Sequence, residues 1–409
     1  MTFAHRDTCR ICLSKDVVKF LSFGDMPLAG GFIKKEDIKN EKLYPLDVYL
    51  CRNCKEVQVL DVVPADDLFK DYRYLSSVVL SKHFTEYAQI MKDRFGLNEK
   101  SLVVEFGSND GVLQKPFKDL GILDVGVEPS VNVSNVAKEK GLTVINDYFT
   151  TKVTDAIVKK YGKADLICAN NTFAHIDDMH EVMRGVKTLL KDDGVYVFEV
   201  HYLVDLVKDY QYDTIYHEHL MYHSVTALSH LFKLFEMEIF DVERIPIHCG
   251  SIRVYTRRKS KKPINKSVGE LLALEKEMGL DKEETFFEFA AEVRRRREDI
   301  VRLVKRLKSE GKRIVGYGAS GRASTNLHFC NFSTKEIDYV VDMSPERQNR
   351  LTPGTHIPIV SPDVLKKDKP DYALLLAYNY AQQIVEKEKD FMANGGKFII
   401  PLPEVRIIQ

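Results

Sequence analysis

Leu102-Val103-Val104-Glu105-Phe106-Gly107-Ser108-Asn109-Asp110-Gly111 is a short apolar run that ends in an acid and breaks into a glycine-bearing turn. β-Branched and aromatic residues favour a pleated strand, and the glycines suit a tight turn into a helix. The pattern then recurs. Residues 121–128 give a second strand, ending Val127-Glu128-Pro129-Ser130, and 165–170 a third. A fourth covers 194–200 and stops before His201, while 131–140 and 178–190 read as intervening helices. Strands alternating with helices predict an α/β fold with a doubly wound, mostly parallel sheet. Two more strands, 235–245 and 249–257, predict an antiparallel end to it.

Upstream, residues 69–100 predict helix, because Phe84, Tyr87, Ala88, Met91 and Phe95 recur at spacings of three and four. Tyr72-Arg73-Tyr74-Leu75-Ser76-Ser77 falls just before them, an aromatic and hydroxyl cluster whose plain reading is packing between domains. Earlier still come Cys9-Arg10-Ile11-Cys12 and Cys51-Arg52-Asn53-Cys54. Together they offer four thiolates, the tetrahedral set that zinc prefers, and a small segment needs such a staple. Four thiolates leave no open position, so the expected Zn2+ at Cys9, Cys12, Cys51 and Cys54 is structural. A thioredoxin-like redox pair is the alternative.

The 409 residues carry 60 Lys+Arg against 60 Asp+Glu, a formal net charge of zero. That balance speaks against a broad surface for nucleic acid or anionic membrane. The first ten residues lack the basic and apolar regions of a signal peptide, and no run approaches the roughly 18 apolar residues of a membrane span. Seven cysteines, four of them in CxxC pairs, fit a metal in a reducing compartment better than disulfides. The expectation is a cytoplasmic protein, monomeric or weakly homo-oligomeric, with neither nucleic-acid nor membrane partners.

Beyond the first sheet, 261–310 is mostly helical and charged, and its run Arg294-Arg295-Arg296-Arg297 reads as a solvated helix face. A second α/β unit begins at Lys312. Its strand runs into Gly316-Tyr317-Gly318-Ala319-Ser320-Gly321-Arg322, and later strands are expected at 337–341, 372–377 and 397–400. Three domains follow: 1–68 for zinc, 69–258 for the first α/β sheet, and 259–409 for a second α/β unit with a helical lead-in.

Two glycine-rich turns compete as ligand sites. Gly316-x-Gly318-x-x-Gly321, with Asp342 at the next strand end, fits a dinucleotide fingerprint, although such a turn serves any phosphate at a helix N-terminus. The earlier turn suits a different ligand. Glu105, Gly107, Asn109, Asp110 and Gly111 can receive an amino-acid carboxylate and ammonium, and Glu128 can accept from both ribose hydroxyls. S-adenosylmethionine needs that combination. Asp147 could meet the adenine amino group with Phe149 against the ring, and Tyr148 and Asn170 stand at the neighbouring strand ends.

The densest chemistry is Tyr216-His217-Glu218-His219-Leu220-Met221-Tyr222-His223. Histidine titrates near neutrality and an adjacent carboxylate can orient it, so acid/base work is one reading. A His217/His219 metal pair and buried structural polar groups are the others. His175, in Phe173-Ala174-His175-Ile176, follows a strand at the end where open α/β sheets hold ligands.

This ordered set resembles the zinc-binding, S-adenosylmethionine-dependent C-methyltransferases that act on nucleotide-linked 4-keto-deoxysugars. The paired CxxC segment, the 105–111 turn, Phe173-Ala174-His175-Ile176, Tyr216-x-Glu218-His219, His248-x-Gly250-Ser251-x-Arg253-Val254-Tyr255 and Gly316-Tyr317-Gly318-Ala319 carry the resemblance. It implies a small zinc-binding domain, a central Rossmann-like methyltransferase domain and a C-terminal Rossmann-like domain. It also implies that His219 removes the proton beside the sugar ketone, with Glu218, Tyr216, His175 and one of Tyr72 and Tyr74 nearby. The nucleotide sugar would lie against Tyr222, Ser251, Arg253, Tyr317, Gly318, Ala319 and Arg322, the last standing where the family usually has Lys. His223 replaces a common Phe, Cys249 a common Gly, and Met26-Pro27-Leu28-Ala29-Gly30-Gly31 lacks the usual Asn after Leu-Ala. The alternatives are a sugar O- or N-methyltransferase on this scaffold and an NAD-dependent oxidoreductase using Gly316–Gly321.

Overall fold

The computed structural model describes residues 3–69 and 76–409. Tyr72 and Tyr74 lie outside the described residues. Near the N-terminus β1 (Val17–Pro27), β2 (Leu43–Cys51) and β3 (Val57–Val59) form an antiparallel meander. Alternate residues of β2, Tyr44, Leu46, Val48 and Leu50, point into its core, as a half-buried strand requires.

The central sheet comprises β4 (Leu102–Phe106), β5 (Leu123–Val127), β6 (Thr143–Ile145), β7 (Ala164–Asn170) and β8 (Leu190–His201). A short β9 (Met221–Tyr222) intervenes in the chain before β10 (Met237–Ile245) and β11 (Ser251–Arg258). The strand order is β10-β11-β8-β7-β4-β5-β6. β4 to β8 are parallel, and β10 and β11 close one side in antiparallel fashion. Every residue of β4 is buried, the signature of a strand covered on both faces. The chain leaves β4 toward β5 and β6, then returns to β7 on the other side. A crevice therefore opens at the carboxyl ends of β4 and β7.

The last sheet contains β12 (Ile314–Tyr317), β13 (Val340–Val341), β14 (Ile359–Val360), β15 (Tyr372–Leu375), β16 (Lys397–Ile400) and β17 (Arg406–Ile408). Its order is β14-β13-β12-β15-β16-β17, parallel except for β17. The molecule is thus α/β, with two Rossmann-like sheets and a small four-cysteine unit.

Two connections were not legible in sequence. β9 does not join the central sheet. It pairs with β3, so the N-terminal sheet runs β9-β3-β2-β1. The lead-in is also shared between cores. Helix Glu283–Ser309 is about 40 Å long at 1.5 Å per residue. Its Phe286, Phe289, Ala290 and Val293 pack with the first two sheets, and Ile300, Val304 and Leu307 with the last. The arginine run corrects the expected solvated face in part. Arg296 is buried over the Tyr210 ring at 3.5 Å and donates to the Pro403 carbonyl, while Arg295 stays exposed beside Glu292 and Asp299.

Candidate active site

The four Sγ atoms of Cys9, Cys12, Cys51 and Cys54 lie within 4.8 Å of one another. Cys9 and Cys54 are 3.5 Å apart and Cys12 and Cys51 3.4 Å, too far for disulfides. A tetrahedron with Zn–S near about 2.3 Å has edges of about 3.8 Å, so the set fits zinc with no position left open. Gln58 donates to Cys9 Sγ at 3.1 Å and fixes that ligand.

The CxxC turn also reaches the central unit. Arg10 is buried and donates through Nε to Asp177 at 3.0 Å. His180 Nε2–H donates to the Ile11 carbonyl at 2.8 Å. Both partners adjoin the segment that carries His175. From β9, Leu220 N–H donates to the Ala174 carbonyl at 2.9 Å, and Val59 N–H to the Leu220 carbonyl at 3.0 Å. The histidines of the 216–223 run divide accordingly. His217 Nε2–H donates to the Pro45 carbonyl at 3.1 Å, and fully buried His223 pairs with Glu56 at 3.1 Å. These two lock the run to the zinc-binding sheet, and His219 faces the cavity.

That cavity holds about 980 Å³ and runs from the β4 turn to the C-terminal sheet. At its first end Glu105, Gly107, Asn109, Glu128, Tyr148, Phe149 and Asn170 line the wall. A side chain on Gly107, whose φ is +68°, would stand 2.1 Å from Thr172 Oγ1, so glycine alone fits the turn. Glu128 accepts from Asn109 N–H and Ser130 N–H, both at 2.9 Å. Glu105 has one oxygen, and Asn170 both amide atoms, buried without a hydrogen-bond partner among the described residues. Buried polar atoms normally have partners, so these open valences facing a cavity fit a polar ligand. Burial and the neighbouring Asp124 push the Glu105 carboxyl well above its ordinary range. Phe149 stacks on Phe106 with ring centres 4.3 Å apart.

Other expected contacts of this end lie behind it. Asp110 is spent on Ser77 and on Lys140, whose Nζ stands 3.2 Å away, and Gly111 is needed because a Cβ would strike Leu142 at 2.1 Å. Asp147 is exposed and accepts from its neighbour, the Tyr148 N–H, at 2.8 Å. None of the three lines the cavity.

Mid-cavity, four imidazoles gather from four segments. His175 and His219 have ring centres 5.0 Å apart, His219 and His201 5.4 Å, and His201 and His248 5.6 Å. Tyr216 packs on His219 at 4.1 Å, and Tyr222 is 6.4 Å from it. His219 Nδ1 lies 2.8 Å from the Thr214 carbonyl. A carbonyl only accepts, so Nδ1 carries the proton and Nε2 is left with its lone pair. Burial pushes His175 and His248 down to about 4, and burial plus mutual repulsion holds His201 and His219 well below the ordinary value. All four are neutral at pH 7. Burial raises half-buried Glu218 to about 7 even though Gly30 N–H donates to it. A Cβ at Gly30 would sit 3.2 Å from Glu218 Oε1, which gives the glycine after Leu28-Ala29 a steric reason. Sequence reasoning left out His201 and gave His248 no role. The position of His201 at the carboxyl end of β8 is the signal that could have found it.

The far end carries cations. Arg322 lines the wall, but its Nε and Nη2 bind buried Asp213 at 3.1 and 3.0 Å, and its Nη1 meets Cys249 Sγ at 3.1 Å. Its bidentate fork is therefore already filled. Arg347 and Arg350 also line the cavity. Arg347 is 3.5 Å from Asp342, whereas Arg350 donates only to the carbonyls of Glu346 and Phe32 and has no acidic partner among the described residues. No local sequence signal marked this pair.

Five expected substrate contacts stay out of the cavity. Arg253 binds Glu199 at 2.8 Å beneath the sheet, and Ser251 donates to the Ile247 carbonyl at 3.2 Å. Tyr317 donates to Glu388 at 2.8 Å, and Ala319 N–H to Asp342 at 2.7 Å. Gly318 packs against Ala377, which a Cβ would strike at 2.5 Å. Within the Gly316–Gly321 turn the Ala319 N–H is thus spent on Asp342, the acid of the expected dinucleotide fingerprint, while Ser320 and Gly321 line the cavity.

Family profiles divide the chain in three. A zinc binding domain matches 9–69, a methyltransferase domain 79–241, and a C-methyltransferase C-terminal domain 246–403. The C-methyltransferase NovU of Streptomyces niveus is 40% identical over 406 residues, covering 98% of this chain and 97% of its own. An uncharacterized methyltransferase of Oceanobacillus iheyensis is 28% identical over 148 residues, covering 32% of this chain and 64% of its own. An S-adenosylmethionine-dependent methyltransferase from Clostridium acetobutylicum covers 44% of this chain and 92% of its own at 14% identity, with a TM-score of 0.36. That last likeness is too loose to carry structural inference.

Proposed function

We infer the reaction from one premise: this chain belongs to the C-methyltransferase family and is an S-adenosylmethionine-dependent, zinc-binding methyltransferase. The acceptor we propose is a nucleotide-linked 4-keto-deoxysugar, methylated at the carbon beside the ketone. The observation that carries this reading is His219. Its Nδ1–H is held by Thr214, so a neutral Nε2 is available midway between the β4 turn and the cationic end of one cavity.

When bound, the methyl donor supplies an electrophilic methyl on a sulfonium. The residues for it are Glu105, Gly107, Asn109, Glu128, Tyr148, Phe149 and Asn170. Arg347 and Arg350 suit the anionic diphosphate at the other end. His219 Nε2 removes the proton beside the ketone, and Tyr216 packs on its ring to hold it. Glu218 and His175 complete the polar wall. A carbon beside a ketone is acidic enough for this only if its enolate oxygen is stabilised, and one well-aimed donor contributes about 3 to 4 kcal/mol. Holding carbon and methyl at a fixed separation supplies the rest of the advantage.

Solvent exchange tests the proposal. In heavy water without methyl donor, a keto-sugar nucleotide that the enzyme methylates should exchange the hydrogen beside its ketone. An O- or N-methyltransferase would leave it untouched. His219→Asn and Glu218→Gln should abolish turnover, with donor affinity nearly unchanged by calorimetry. Near wild-type rates in His219→Asn would remove His219 as the base.

A further inference from the structure

We propose that His201 and His248 form the outlet by which the abstracted proton leaves the active site. The proposal rests on His219 as the base. Methyl transfer to carbon releases one proton per turnover, and that proton must leave Nε2 of His219 before the next cycle. It cannot leave through Nδ1, whose N–H is held by Thr214 at 2.8 Å. His201 lies 5.4 Å from His219 between ring centres, and His248 5.6 Å beyond His201. The rings are inclined at 90° and 71° and share no direct hydrogen bond, and at these spacings one water can bridge each pair.

The backbone around His248 strengthens the case. His248 and Cys249 both hold positive φ, +52° and +69°, and neither is glycine. Gly250 follows at +115°, where a Cβ would stand 2.4 Å from Asp205 Oδ2. Gln211 donates to the Cys249 carbonyl at 2.9 Å, and Tyr202 N–H to the Gly250 carbonyl at 3.3 Å. Two consecutive left-handed non-glycine residues are strained and persist where the surroundings hold them in place. Here they present an imidazole to the cavity, two residues from exposed Pro246. No carboxylate forms an ion pair with His201 or His248 among the described residues, and the potential metal-ligand group among those residues is the N-terminal cysteine set, which does not include these histidines. Both rings keep a lone pair for a proton. Their closeness also means that a charge on one suppresses charge on its neighbours, so the row carries one proton at a time.

The steps balance. The substrate C–H bond breaks, its electron pair stays on carbon, and a new N–H bond forms at His219 Nε2. After carbon has taken its methyl, that N–H bond breaks as one forms on His201. The same exchange passes the proton to His248 and from there to water.

The test uses the full chain and a thymidine diphosphate-linked 4-keto-6-deoxysugar that the wild-type enzyme methylates, deuterated beside the ketone. His248→Gln and, separately, His201→Gln should slow loss of deuterium to water about tenfold or more. Steady-state turnover should fall with it, while the first turnover of methyl transfer in rapid quench falls far less. Added imidazole should restore the loss of deuterium. If washout and first-turnover transfer fall together, or neither falls, the outlet is overturned. If His219→Asn is itself active, the base assignment has failed instead.

Discussion

Asp124 stands beneath the β4 turn, 6% exposed, with the Gln114 side chain as its polar neighbour. Burial pushes its carboxyl up to about 8. The unfolded chain would ionise this residue near pH 4 while the folded protein keeps it protonated. Its favourable contribution is therefore complete below about pH 4, declines as pH rises, and is gone above about 8. Asp124→Asn should flatten that decline and gain on the order of 1 to 3 kcal/mol at pH 8, with little change at pH 4. Urea unfolding at both pH values measures it, and an equal shift at both would contradict the account. Residue types announced much of the chemistry here, because thiolate pairs and a His-Glu-Tyr run are rare and carry their function locally. Their partners were not announced. Nothing in the order Tyr216 to His223 says that His217 will meet Pro45, that His223 will meet Glu56 and that His219 faces the cavity. Arg253 misled for the same reason, since its use is decided by Glu199 on the neighbouring strand.

At the scale of elements, the zinc-binding unit is a lever on the active site. Arg10 sits inside a CxxC turn and is buried against Asp177, and β9 links β3 to the run holding His219. Arg10→Met should leave Asp177 without a buried cation at its side. The Asp177 side chain is 42% exposed and keeps Arg6 at 3.2 Å, so the cost comes from the Val59 carbonyl and Gln58 that lose a buried donor, about 1 to 3 kcal/mol. A lower Tm together with loss of methyl transfer is expected. Chelating the zinc should act likewise, with activity lost and circular dichroism showing the N-terminal strands disordered. Activity that survives complete metal removal would refute the coupling. Periodicity predicted most of the central strands and helices, since alternating strands and helices write themselves into the local pattern. β9 was invisible, because a two-residue strand has no period and its pairing joins residues far apart in the chain.

Over the whole molecule, the cavity has a polarity. Glu105 and Glu128 stand at the methyl-donor end, neutral imidazoles in the middle, and Arg347 and Arg350 where the N-terminal segment meets the last sheet. A cationic donor and an anionic acceptor would each find a complementary end. Arg350→Ala should raise KM for a keto-sugar nucleotide about tenfold, consistent with loss of one charge-assisted contact, while donor affinity stays the same. Equal weakening of both ligands would show a general structural role. The zero net charge of the sequence concealed this arrangement, because 60 cations and 60 anions can be mixed evenly or sorted along one cleft.

The pairing of β9 with β3 has a consequence for how such enzymes can be diversified. Residues 57–58 and 221–222 form one strand pair across the first two units. A recombination breakpoint between those units would leave each half of the pair facing a stranger. Chimeras that import a foreign N-terminal unit should need its matching 216–223 segment as well, so the two travel as one heritable module.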